Sequence, residues 1–259
     1  EDPFRNFLPS TGRLVKFQPP KETMFASDVS QWQGVRVDTG VQDGGEIPMF
    51  YDSMIAKLIV HGKDRAEAIA KMREALNGFV IRGVSSNIPF QAALLAHPKF
   101  VAGDFNTGFI AENYGKGFRA EDVPHDNPDF LVALAAFVNR CYLGRSTAIS
   151  GQLEGHELKI SNDFVAVVVG QMGNGASYKV HVANFDEKTY ASEICVGGNS
   201  YKLTSKSRFG QIRLRGTCNG VPFTAQVERG VVKKPLAIRV IHNGAQLDAM
   251  VMLPRAASL

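Results

Sequence analysis

The chain has 259 residues, of which 44% are hydrophobic and 21% charged, and its formal net charge is +4. This length favours two domains, each able to bury a core of its own. No run of about 18 apolar residues is present, which argues against a membrane-spanning helix, and the scattered lysines and arginines form no concentrated basic stretch for phosphate contacts. We therefore expect neither a membrane nor a nucleic acid as a partner.

Residues 1–118 have the pattern of a domain that mixes helices with short strands. Part-alternating apolar runs lie at 12–17, 35–38 and 56–60. Glycine, proline and aspartate bound these runs, which is typical of strands. We predict one strand in each run.

Two helices are predicted between the last of these runs and residue 98. Asp64 can cap the first helix, because the apolar residues after it recur on one helical face, and Gly78 or Gly83 ends it. The second helix begins near Asn87, with a proline early in the helix as helix starts allow, and Pro98 stops it.

A hydrophobic helix follows a short linker. Residues 119–128 are polar and include two prolines, which favours a linker between domains. Residues 129–143, ended by Gly144, are apolar on nearly every side of the predicted helix, and such a helix is normally buried all round. Spacings of three and four place part of this helix on one stripe, the predicted centre of a core: Phe130, Leu134, Phe137 and Val138.

The residues after this helix, up to residue 253, have the pattern of an antiparallel barrel. About seven or eight short strands follow one another at even spacing, and Asn219-Gly220 and Asn243-Gly244 predict tight hairpin turns. The hydrophobic helix can fill the interior of such a barrel. The predicted fold class is α+β: a mixed α/β piece followed by an antiparallel β-barrel wrapped around one hydrophobic helix.

The sequence contains no motif of a self-contained catalytic centre. Gly173 and Gly175 lack the third glycine of a dinucleotide-binding loop, so we interpret them as a turn. The six histidines are not at metal-ligand spacing, and the three cysteines include no Cys-x-x-Cys pair. We predict no catalytic residue and no metal site in this chain, and we interpret Cys141 as a packing residue of the hydrophobic helix.

One polar segment stands apart from this pattern. Tyr51, Asp52 and Ser53 place a phenol, a carboxylate and a hydroxyl just before a predicted strand, and Lys57 follows them. On spacing alone, a tight turn explains the segment, because aspartate and serine side chains there bond nearby backbone.

Several motifs in chain order resemble the biotin carboxylase family. They are Glu1-Asp2-Pro3, Leu8-Pro9-Ser10-x-Gly12, Gly34-Val35-Arg36-Val37-Asp38, Tyr51-Asp52-Ser53-Met54-Ile55-Ala56-Lys57, Asp64-Arg65 and Gly83-Val84-x-x-Asn87. The segment Val80-Ile81-Arg82-Gly83-Val84 is more similar to propionyl-CoA carboxylases than to methylcrotonyl-CoA carboxylases. The predicted helix and barrel resemble the transmission domain of such alpha subunits, which joins the carboxylase to the carboxyltransferase subunit.

The resemblance implies how the chain is divided and where its site residues lie. The divisions are 1–118 for the C-terminal part of a biotin carboxylase domain, 119–128 for a linker, 129–253 for the subunit-docking domain and 254–259 for the start of a linker to a carrier domain. Four residues are expected near the biotin site or the carboxylase dimer face: Arg36, Tyr51, Asp52 and Ser53.

The resemblance also implies cofactors and partners for the parent enzyme, a ligase that forms carbon–carbon bonds. Such an enzyme uses ATP and Mg²⁺ to carboxylate biotin and passes the carboxyl group to an acyl-CoA, here propionyl-CoA. Because the ATP-binding motifs have no counterpart in this sequence, the chain alone is expected to bind none of these cofactors and to be inactive. The implied partners are the carboxyltransferase (beta) subunit and a biotin carboxyl carrier domain, in the bacterial cytoplasm or the mitochondrial matrix.

Two alternatives remain open at this stage. One is the alpha subunit of an acetyl-, methylcrotonyl- or geranyl-CoA carboxylase. The other is a non-enzymatic barrel that binds a lipid, which needs an open cavity where the hydrophobic helix is expected. For a carboxylase subunit, we predict that residues 145–163, the longest connection of the second half, contact the carboxyltransferase subunit.

Overall fold

The computed structural model describes residues 1–23, 34–50, 52–123, 125, 127–156, 158–169, 175–207, 210–231 and 234–258. The chain divides into two compact units. The first comprises Glu1–His125 with Asn243–Ala245, and the second comprises Asp126–His242 with Gln246–Leu259.

Short antiparallel strand pairs form the sheets of the first unit. The strands are β1 (Gly12–Arg13), β2 (Lys16–Gln18), β3 (Gly34–Thr39), β4 (Glu46–Ile47), β5 (Ala56–His61) and β6 (Val80–Arg82). They pair as β1 with β4, β2 with β6 and β3 with β5. The prediction of one strand at 12–17 is wrong, because the chain changes partner in its middle: Leu14 N donates to Gly45 O, whereas Val15 N donates to Arg82 O.

The helices of the first unit are α1 (Arg65–Gly78), α2 (Ile88–Ala96), α3 (Pro98–Ala102) and α4 (Phe109–Tyr114). The predicted N-cap of α1 is confirmed, because the Asp64 carboxylate accepts a 2.8 Å hydrogen bond from Glu67 N. Of its two predicted ends, Gly78 is the observed one and Gly83 is not, and α2 stops before Pro98, which begins α3.

Two apolar groups fill the first unit. Leu14, Phe17, Ile47 and Phe79 are buried between the strand pairs. A second, aromatic group surrounds Phe90, whose ring lies about edge-on to three others: Phe7 at 4.9 Å, Phe118 at 5.3 Å and Tyr114 at 5.5 Å between centroids.

The second unit is a closed antiparallel barrel around one helix, which confirms the predicted fold class. The helix is α5 (Pro128–Thr147), and a short helix, α6 (Pro254–Ala257), follows the barrel. The strands are β7 (Asp163–Val168), β8 (Ser177–Asp186), β9 (Ala191–Val196), β10 (Asn199–Ser205), β11 (Arg213–Cys218), β12 (Val221–Val231), β13 (Lys234–His242) and β14 (Ala245–Met252). Their order around the barrel is β10-β11-β12-β13-β14-β7-β8-β9.

Helix α5 occupies the interior of the barrel. Every residue from Phe130 to Val138 is buried, and Leu134 and Phe137 are 0% and 1% exposed. The ring of Phe130 meets that of Phe223 on β12 edge-on at 5.3 Å. The apolar side chains lie on all sides of the helix because strands surround it, as the sequence pattern indicates.

The ends of α5 differ from the prediction. The helix begins at Pro128, where the Asn127 side chain accepts a hydrogen bond from Phe130 N. The prediction that Gly144 ends the helix is wrong, because α5 continues to Thr147. A Cβ on Gly144 would lie 3.0 Å from Arg140 Nη1 and 3.1 Å from Glu187 Oε1, so this glycine allows α5 to pack closely against the residue that follows β8.

Both predicted Asn-Gly hairpin turns are confirmed. Asn219 and Gly220 have φ values of 51° and 82°, and Asn243 and Gly244 have 50° and 80°. Two successive positive φ angles define the turn that matches the twist of paired strands. Among the helices of the described ranges, none is long and apolar enough to cross a membrane.

Candidate functional site

The polar segment before β5 lines a cavity of about 410 Å³ in the first unit. Asp52 Oδ1 accepts a 2.9 Å hydrogen bond from Met54 N, and Ser53 Oγ lies 3.5 Å from Glu1 Oε1. The first of these bonds is the turn contact that the spacing alone indicated. Tyr51, the third predicted site residue of this segment, lies outside the described residues.

Further polar side chains line the same cavity and were not predicted as site residues. They are Glu1, Ser10, Lys57, Ser85, Ser86, Asn87 and Gln91. Ser10 Oγ accepts a 2.9 Å hydrogen bond from Ser85 N, which holds two distant segments of the chain together. The signal for Ser10 and Asn87 was present in the motifs that contain them, but a motif alone does not say which side chains face a cavity.

Gly83 makes this arrangement of segments possible. Its φ is 101°, and a Cβ would lie 2.1 Å from Arg13 O and 2.8 Å from Val15 N. Only glycine permits both the positive φ and this close approach of two backbone segments. The residues that follow it, Ser85 to Asn87, are thereby directed along one wall of the cavity.

Arg36 lies away from this cavity. It stands on β3, and its Nε is 3.1 Å from Asp38 Oδ1. Asp38 in turn lies opposite Lys57 in the β3–β5 register. The structure therefore brings Asp52 and Ser53 to one cavity but leaves Arg36 outside its lining.

The described ranges contain no group of three histidine, cysteine, aspartate or glutamate side chains that could hold a metal ion. A Mg²⁺ site for ATP normally needs carboxylates converging with the substrate phosphates. The described residues do not fit such a site.

In the second unit, the connection between α5 and β7 carries exposed apolar side chains. Because α5 continues to Thr147, this connection comprises residues 148–162, and we call it the arm. Ile149, Leu153 and Leu158 are 67%, 76% and 66% exposed. The Gln152 side chain braces the arm, because its Nε2 donates to Ile149 O at 3.0 Å and its Oε1 accepts from Leu158 N at 3.1 Å.

Comparisons with known proteins match both units. A family model described as the biotin carboxylase C-terminal domain matches residues 1–112, and one described as the propionyl-coenzyme A carboxylase BT domain matches residues 131–259. The propionyl-CoA carboxylase alpha chain of Ruegeria pomeroyi is 37% identical over an alignment of 270 residues that covers 100% of this chain. The chain belongs to the biotin carboxylase-containing alpha chains of acyl-CoA carboxylases.

Two further similarities fall in the first unit. Biotin carboxylase 1 of Bacillus subtilis is 47% identical over 110 residues, which is 42% of this chain and 22% of that protein. A solved biotin carboxylase domain of the 2-oxoglutarate carboxylase from Hydrogenobacter thermophilus is 34% identical, covering 43% of this chain and 22% of its own, with a TM-score of 0.38.

This alpha-chain sequence spans only part of its relatives. It covers 38% of the Ruegeria pomeroyi chain. The cavity lined by Asp52 and Ser53 falls within the match to the biotin carboxylase C-terminal domain, whereas most of α5, the arm and the barrel fall within the match to the BT domain.

Proposed function

We propose that the parent enzyme uses ATP to carboxylate biotin and transfers the carboxyl group to propionyl-CoA. The observation that carries this proposal is the succession of a biotin carboxylase C-terminal domain and a BT domain in one chain. Its relatives include alpha chains named for propionyl-CoA carboxylase in bacteria and mitochondria, so we propose the bacterial cytoplasm or the mitochondrial matrix as its location.

Within that enzyme, this chain is proposed to supply one wall of the carboxylase domain and the scaffold that docks the carboxyltransferase subunit. The proposed divisions are residues 1–118 for the carboxylase part, 119–128 for the linker and 129–253 for the docking domain. In the docking domain α5 fills the barrel centre, which disfavours a barrel whose lumen holds a lipid. Residues 254–259 are proposed to begin the linker to a biotin carrier domain.

We assign two roles to the predicted residues of the first unit. Asp52 and Ser53 are proposed to lie beside the biotin site, because both line the polar cavity. Arg36, which is held by Asp38 outside that cavity, is proposed to lie nearer the carboxylase dimer face. Tyr51 is proposed to share the surroundings of Asp52 on the strength of the motif alone.

The arm is the proposed contact with the carboxyltransferase subunit. Large exposed apolar side chains close together in a connection are unusual unless something covers them. The bracing by Gln152 holds these side chains on a defined backbone, so little entropy is lost when a partner covers them.

The arm is tested in the full-length alpha subunit with Ile149, Leu153 and Leu158 all changed to serine. We expect the elution of the alpha subunit with the carboxyltransferase subunit in size-exclusion chromatography to be lost or strongly reduced. The matched control is Val221→Ser, which alters a side chain that is 66% exposed at the start of β12. Co-elution of the triple variant at wild-type level, with the barrel folded by circular dichroism, removes the arm from the interface.

A further inference from the structure

A cavity of about 240 Å³ lies beside the C-terminal half of α5 in the second unit. Its lining comes from α5, from the end of β12 and from the chain around the β10–β11 connection. The lining includes the apolar side chains of Phe137, Val138, Leu214 and Val227 and the polar side chains of Ser205, Ser207 and Arg229. It lies between α5 and the surrounding strands, beside Phe137 and Val138 of the buried helix.

The size of the cavity limits what it can hold. An engineered apolar cavity of about 150 Å³ accepts benzene, whereas pockets for drug-sized ligands have about 300–1,000 Å³. The volume of the present cavity lies between these two values. Its apolar floor therefore suits a flexible chain of roughly six to ten carbon atoms.

The polar side of the cavity offers hydrogen-bond donors. Ser205 Oγ accepts from Ser207 N at 3.2 Å, and Ser207 Oγ accepts from Arg215 N at 2.6 Å. Because each oxygen is already an acceptor for a backbone N–H, each hydroxyl hydrogen can be donated to a ligand. The Arg229 guanidinium, 4.7 Å from the ring centre of Tyr142, adds a positive charge.

Negative charge in the lining is limited to one strand residue. Glu228 lines the cavity, and in the β12–β13 register it lies opposite Arg239, whose guanidinium also bonds both carboxylate oxygens of Asp248 at 2.8 and 2.9 Å. A lining that combines two hydroxyl donors and a guanidinium with apolar side chains matches an anionic head on a short apolar chain.

This cavity does not suit a ligand that forms a covalent bond with the protein. Cys141 lines it, but burial raises the pKa of the Cys141 thiol to about 12, so the thiolate needed for nucleophilic attack is scarce near neutral pH.

Tyr190, another lining residue, has a φ of 47°, a conformation that a bulky side chain rarely adopts. Strained residues of this kind cluster at ligand sites.

We propose that this cavity binds, non-covalently, a small amphipathic carboxylate: an acyl chain of roughly six to ten carbons on the apolar floor, with its carboxylate at Ser205, Ser207 and Arg229. The docking role proposed above does not require this ligand. The site is therefore a second function of the barrel.

The test is calorimetric titration of the 259-residue chain with octanoate, and with 1-octanol as the uncharged probe of equal chain length. We expect saturable binding of octanoate and at least roughly tenfold weaker binding of 1-octanol. Arg229→Gln should weaken the binding of octanoate to a similar extent. Arg255→Gln, which changes an exposed arginine of α6 outside the lining, should leave the affinity unchanged.

A filled cavity gives the decisive comparison. Cys141→Phe should abolish octanoate binding while the far-ultraviolet circular dichroism stays that of the wild type. If this variant fails to fold, the double variant Ser205→Ala with Ser207→Ala takes its place and should weaken binding roughly tenfold. The proposal is overturned if the wild type does not bind octanoate, if 1-octanol binds equally well, or if the folded Cys141→Phe variant, or its replacement, binds octanoate as the wild type does.

Discussion

Phe137 is the largest of the fully buried side chains, and it lies on the helix that fills the barrel. We propose that it is the centre of the barrel core, together with Phe130, Leu134 and Val138. Phe137→Ala should lower the free energy of unfolding of the barrel by about 3–5 kcal/mol, because the ring leaves a cavity that surrounding strands cannot close. Denaturant unfolding followed by circular dichroism measures this change.

The control for this substitution is Val221→Ala, since Val221 is 66% exposed. A change at an exposed site away from caps and ion pairs should stay within about 0.5 kcal/mol. Equal destabilisation by both variants would contradict the assignment of Phe137 to the core.

The sequence predicts single residues well where one physical rule determines their environment. The all-round apolar pattern of α5 requires burial, and its residues are buried. Asp64 follows the cap rule and caps α1. Arg36 and Asp52 both belong to the family motifs, yet only Asp52 lines the cavity and Arg36 pairs with Asp38 on β3. Spacing along the chain does not encode which side chains face a cavity.

At the scale of elements, one carboxylate ties β2 to the turn before β4. Asp43 Oδ1 accepts from Phe17 N at 2.6 Å, and its Oδ2 lies 2.8 Å from Lys16 Nζ. The hydrogen bond from Lys16, followed by that from Phe17 N, holds the pKa of Asp43 below its ordinary value. A lowered pKa means that the folded state favours the ionised carboxylate.

The pH dependence of this contact has a defined sign. Because the folded pKa is below the unfolded one, the contact stabilises the fold above the ordinary aspartate pKa of about 4 and this stabilisation is lost as the pH falls through the folded pKa. Asp43→Asn keeps an oxygen for Phe17 N but removes the charge, so it should lower the melting temperature slightly at pH 7 and not at pH 2.

Asp104→Asn provides the matched control, since no ion pair of this exposed aspartate is found in the described parts of the chain. If the difference in melting temperature between the wild type and Asp43→Asn is constant from pH 7 to pH 2, the charge of Asp43 is not the cause of that difference.

The boundaries of elements were harder to predict than their types. The run at 12–17 is one apolar pattern but two strands, because Leu14 and Val15 bond different partners. Gly144 is a helix-ending signal in isolation, yet the pair Arg140 and Glu187 occupies the space beside it and α5 continues. Both differences arise from contacts between residues distant in sequence.

At the scale of the whole molecule, we predict that the chain alone does not turn over ATP. Phosphoryl transfer needs a phosphate-binding loop and metal-binding carboxylates in place, and the sequence contains no motif for either. Incubation with ATP, Mg²⁺, bicarbonate and biotin should release no phosphate above buffer, whereas the full-length alpha subunit should. Turnover that persists through successive purification steps contradicts this prediction.

The central proposal is that this chain carries the docking surface for the carboxyltransferase subunit. Sedimentation velocity of the 259-residue chain mixed with that subunit tests it most directly. The mixture should sediment as a complex faster than either component, because the BT-domain barrel and its arm are both present. Separate sedimentation of the two, under conditions in which the full-length alpha subunit forms a complex with the carboxyltransferase subunit, would contradict the proposal.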